Sequence, residues 1–120
     1  MPMERQNKLV ELSVAFAVKI LNLVKYLKEQ RETIISNQIG RAGTSIGANI
    51  HEAQYAHGKP DFIAKLQISL KECYETEYWI ELFVKSALIK ENEAKELYNQ
   101  CGTIRRILIA SINTAKENIK

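Results

Sequence analysis

Two cysteines, two prolines and two histidines in 120 residues leave little material for several kinds of chemistry. Cys73 and Cys101 stand in no C-x-x-C or C-x-x-H pattern, so they read as buried thiols of a cytosolic protein rather than as a disulfide or metal ligands. A di-iron bundle needs Glu-x-x-His pairs, and neither His51 nor His57 follows a glutamate by three positions. No Ser-His-Asp or Cys-His set can be assembled from two histidines so close in sequence. Gly40, Gly43 and Gly47 follow no strand and precede no Gly-Lys-Ser or Gly-Lys-Thr, which excludes a phosphate loop. Prolines and glycines are too sparse for a disordered chain. No apolar run approaches the roughly 18 residues a membrane span requires, and the first residues lead into an amphipathic pattern rather than a signal peptide. The expectation is a cytoplasmic protein with no catalytic centre, cofactor, metal site, small-molecule substrate or membrane contact.

What the chain does contain is helical periodicity. Its 46% hydrophobic and 26% charged residues suit one globular domain over residues 1–120, long enough to bury roughly two-thirds of its unfolded surface without covalent staples. The net charge of +3 permits an anionic partner without demanding one. Leu9, Leu12, Phe16, Ile20, Leu23 and Leu27 recur at threes and fours and predict a first helix. Val10, Val14, Ala17, Leu21 and Val24 widen its apolar face, either for deeper burial in its own bundle or for another subunit. Thr33 is a candidate N-cap for a second helix ending near His57–Asp61, with Gly58 as a left-handed C-cap and Pro60 as a stop. On the third helix Phe62, Leu66, Leu70, Cys73, Ile80, Val84 and Ala87 form a stripe interrupted by Ser69 and Glu77. Ile68, Trp79 and Phe83 lie off it and need a cover, from Lys65 and Glu72 or from another subunit. Ala94, Leu97, Cys101, Ile104, Leu108, Ile112, Ala115 and Ile119 give the cleanest pattern, a fourth helix. No period of two is sustained, so the fold expected is an all-α, antiparallel up-and-down four-helix bundle.

The second helix carries the features that set it apart. Gln38, Arg41, Ser45, Asn49 and Glu52 share one arc, beside an apolar arc of Ile35, Ile39, Ala42, Ile46, Ile50 and Ala53. Ser36, Gly40, Gly43 and Gly47 form a third arc, where small residues let another helix approach closely. The polar arc is either a solvated face or a partly buried network that fixes helix register. Glu72, Thr76 and Glu77, close to Trp79, offer it a matching set on the third helix, with Glu75 read as solvated. Glu77 interrupts the apolar stripe and needs a partner if buried. Gly102 either permits a close contact on the fourth helix or is tolerated at a cost of about 1 kcal/mol. Lys19, Lys25, Lys28, Arg105 and Arg106 are the candidate nucleic-acid contacts, to be gathered from neighbouring subunits of an oligomer.

The run from Gln38 to Ile50, followed by Glu52-Ala53, Asp61-Phe62, Lys65-Leu66, Leu70-Lys71-Glu72 and Glu75-Thr76-Glu77-Tyr78-Trp79, resembles the bacterial four-helix bundle family encoded in intervening sequences of 23S ribosomal RNA genes and called ribosomal-protein-like. The resemblance implies an up-and-down bundle, commonly a homopentamer, without known catalysis. More distantly, it is similar to the accessory protein of diversity-generating retroelements, a basic pentamer that binds nucleic acid. The function expected is therefore a homo-oligomeric scaffold or adaptor with RNA contact, and the alternative is a nucleic-acid-binding module using a basic oligomer surface.

Overall fold

The computed structural model describes residues 3–118, so Ile119 of the fourth periodic pattern lies outside the described residues. Four helices run in chain order, α1 Met3–Glu29, α2 Thr33–Ala53, α3 Lys59–Lys85 and α4 Glu91–Glu117. No strand occurs among the described residues. Each helix packs on its two neighbours in a closed cycle, α1 on α2, α2 on α3, α3 on α4 and α4 on α1, with no close backbone approach across either diagonal among the described residues. Short links and helices of similar length force the antiparallel up-and-down order, and the resulting bundle is 49 Å long.

The core is built from the expected spacings with some rotation. Leu9, Phe16, Ile20 and Leu27 of α1 are buried, and so is every described member of the α4 stripe. On α2, Ile39, Ala42, Ile46, Ile50 and Ala53 turn inward, whereas Ile35 is half-buried. α3 departs furthest from expectation. Its buried residues include Ile63, Leu66, Ser69, Cys73, Thr76, Glu77, Ile80 and Phe83, so Phe83 belongs to the core, while Phe62, Leu70 and Val84 only pack against its edge. The rotation places Ser69 inside, where its hydroxyl donates to the Ile46 carbonyl of α2 at 2.8 Å. A small polar residue thus serves as a helix-to-helix contact rather than an interruption of the core.

The helix ends also differ from the sequence reading. Thr33 is the first helical residue and Glu32 takes the N-cap position without a side-chain cap, after a turn in which Arg31 has φ 64°. α2 stops at Ala53 and runs through a right-handed Gln54. Gly58 is therefore no left-handed C-cap; its extended backbone, φ 168°, leads into α3, where Pro60 occupies the first turn. Proline is suited to that position because a first-turn N–H has no intrahelical acceptor. Ala87 lies beyond α3, in the turn to α4 at φ 60°.

Candidate functional site

The glycines of α2 close one seam of the bundle. A β-carbon on Gly43 would stand 2.7 Å from Ile20 of α1, and one on Gly40 would stand 3.1 Å from Val24. At Gly47 the neighbour is the Ser13 hydroxyl, at 3.3 Å. Small residues on this arc let two helices come closer than side chains would allow, as their spacing suggests.

The polar arc lies on the opposite edge of α2, beside α3. Arg41 pairs with both Glu72, at 3.1 Å, and Glu75. Trp79 Nε1 donates to the same Glu75 oxygen at 3.1 Å. Glu75 is thus not a solvated bystander but the centre of an Arg41–Glu75–Trp79 link. Its carboxyl is held below the usual glutamate range, first by the Trp79 hydrogen bond and then by Arg41, and the Arg41 guanidinium is raised in return. At the other end Glu52 pairs with Lys65 at 3.4 Å.

The remaining members of the expected network turn back on their own helices. Ser45 donates to the Arg41 carbonyl, Asn49 to that of Ser45, and Thr76 to that of Glu72. Gln38 is exposed and makes no side-chain bond among the described residues. The arc is therefore two ion-pair clusters over the α2–α3 edge, not a continuous buried chain. Side chains able to reach their own i−4 carbonyl satisfy themselves locally, so a shared face does not make a shared network.

Glu77 has a different partner from the others. It is buried between α3 and α4 and accepts from Arg105 Nε at 3.0 Å, which raises the Arg105 guanidinium further. Beside this pair Cys101 Sγ points to the Cys73 carbonyl at 3.6 Å, and both cysteines are free and buried. The Cys73 thiol is pushed up by its contact with Cys101 and by burial.

Of the five candidate nucleic-acid residues, only Arg105 and Arg106 come together, over Gly102. Lys19 is bound to Glu96 at 2.6 Å across the α1–α4 seam. Lys25 and Lys28 lie near the end of α1, in no ion pair among the described residues. Sequence reasoning missed a polar link between α1 and its neighbours, in which Gln54 donates to Gln6 at 3.0 Å and Gln6 to Ser111 at 3.3 Å. Gln6 sits three residues before Leu9 on the buried face, a spacing that could have marked it. Among the described residues no group of three His, Cys, Asp or Glu side chains is placed to hold a metal, and no helix is long and apolar enough to cross a membrane.

A four-helix chain with Arg41, the α2 glycines and the Glu72–Trp79 segment so placed can be set beside known proteins. The family model described as 23S rRNA-intervening sequence protein matches residues 5–110. The chain belongs to this family. Among solved structures, this 23S rRNA-intervening sequence protein family chain is similar to a protein of unknown function from the S23 ribosomal protein family of Bacteroides thetaiotaomicron VPI-5482. The two are 45% identical over 91% of this chain and 98% of that one, with a TM-score of 0.89. Comparison with curated proteins finds no match.

Proposed function

We propose that this member of the 23S rRNA-intervening sequence protein family is a non-enzymatic, homo-oligomeric scaffold or adaptor of the cytoplasm, with five copies as the resemblance implies. One observation carries the reading. Val14, Val18 and Leu21 form an outward stripe on α1 and are 57%, 53% and 56% exposed. Aliphatic side chains recurring at this spacing on the face away from the core offer apolar area that a second surface would remove from water. The outer side of α3 carries Ile68 and Tyr78, 44% and 57% exposed. α1 and α3 are diagonal in the bundle, so their outer sides point in opposite directions.

Two unlike apolar faces on one chain favour a head-to-tail contact over a two-fold dimer, and such contacts close into a ring where the rotation between copies allows it and otherwise run on as a filament. Trp79 anchors the α3 side by its bond to Glu75. Sedimentation velocity at micromolar concentration is the test. The reading expects one species heavier than the 13.7 kDa chain. A monomer that persists as concentration rises would overturn it.

A further inference from the structure

We propose that α4 carries a track for single-stranded nucleic acid, running from Tyr74 across Arg105, Gly102 and Arg106 to a groove beside Arg5 and Lys8. It lies within one chain and stands apart from the assembly reading. Gly102 is where the track becomes visible. A β-carbon there would stand 3.3 Å from Arg106 Nη1 and 3.4 Å from Arg105 Nη2, which puts the two nitrogens within about 7 Å of each other. Glycine in a helix interior costs stability, and like charges do not gather without a reason. Here the missing side chain leaves a low floor on which two guanidinium groups converge.

The charge at this place is not cancelled. Glu77 balances Arg105, whereas Arg106 donates only to the Thr103 hydroxyl among the described residues, at 3.2 Å. On its far side Arg106 lines a groove of about 420 Å³ together with Glu4, Arg5, Lys8, Ile107 and Ala110. Four cations against Glu4 and Glu77 leave a positive band across α4 and the start of α1. At the other end Tyr74 is 52% exposed, and its ring centre lies 5.9 Å from the Arg105 guanidinium carbon.

Guanidinium forks match phosphate oxygens, and an exposed aromatic ring beside them offers a stacking platform for a base. An acidic peptide would use the cations but has no need of the ring. A duplex hides its base faces, which favours a single strand.

The test is fluorescence anisotropy of the full chain with a labelled single-stranded oligonucleotide of about 20 nucleotides, titrated with salt. Binding should weaken with salt at a logarithmic slope of about −2 to −3, since each neutralised phosphate contributes about 0.7. Arg106→Ala should weaken binding about tenfold and flatten the slope by about 0.7. Tyr74→Ala should weaken it about tenfold, and Tyr74→Phe should restore it. Gly102→Ala should reduce affinity while the melting temperature holds or rises, because the arginine ends can swing aside and alanine favours the helix. RNA and DNA strands used in parallel identify which is preferred. No binding at low salt, unchanged affinity in Arg106→Ala and Tyr74→Ala, or equal competition by polyglutamate would each overturn the proposal.

Discussion

The two sides of α1 show opposite solutions to packing one helix between two others. Towards α2, the glycine arc brings the backbones so close that Ile20 fills the space a side chain at position 43 would need. Towards α4, the seam is open and holds a groove of about 870 Å³ between Lys19, Leu23, Tyr26, Ile89 and Leu97, with a small one of about 110 Å³ beside Ala15 and Phe16. The Lys19–Glu96 ion pair crosses the larger groove. Beside the small one the buried Gln100 Oε1 meets no donor among the described residues. Close packing is thus spent on one seam, and the other tolerates gaps. Added bulk should be costly along α1–α2 and nearly neutral where it faces the α1–α4 grooves.

Gly43→Val attacks the closed seam directly and should cost about 2 to 3 kcal/mol by overpacking, measured by urea unfolding. Ala15→Val, which faces the small α1–α4 groove, should stay within about 0.5 kcal/mol of the parent. Equal losses in the two variants would break the comparison. The next largest effect belongs to Glu77→Gln. It keeps the shape but removes the charge that Arg105 meets between α3 and α4, at a cost of about 1 to 2 kcal/mol.

Arg41→Ala should cost less than about 1 kcal/mol, because half of the Arg41 side chain is in water and solvent screens its pairs. Its pH dependence has a definite sign. The Glu75 carboxyl is depressed in the folded protein, so its contribution is present above the usual glutamate range and is lost as pH falls through the lower folded value. The difference between parent and Arg41→Ala in thermal melts should therefore narrow towards strongly acidic pH. A constant difference would mean that Arg41 acts by packing alone. Smallest of all, Lys19→Ala should change unfolding free energy by no more than about 0.5 kcal/mol, since both partners of that bridge are exposed.

The four helices are legible because apolar residues recur at threes and fours on each, most clearly on α4, where every described stripe residue is buried. The glycine arc was equally legible, since small residues at helical spacing have few other uses. What failed was rotation and partner choice. The α3 stripe was drawn through Leu70 and Val84 because hydrophobicity was the only guide, whereas the helix turns Ser69 and Thr76 inward and bonds their hydroxyls to carbonyls. The place of Glu77 in the apolar stripe marks it as needing a partner and that of Glu75 does not, yet both are paired, towards α4 and α2 respectively. Which cation each meets depends on how neighbouring helices are set, and one helix's periodicity does not contain that. Arg5, Lys8 and Arg106 likewise meet at one groove only in the fold, and no spacing in the sequence marks them as neighbours.

The proposal that the outer face of α1 serves assembly is tested most directly by light scattering coupled to gel filtration. The parent should elute as a single species of several times 13.7 kDa, and a Val18→Glu, Leu21→Glu double variant should collapse to a folded monomer of that mass. Identical masses for the two proteins would contradict the assignment of that face to assembly.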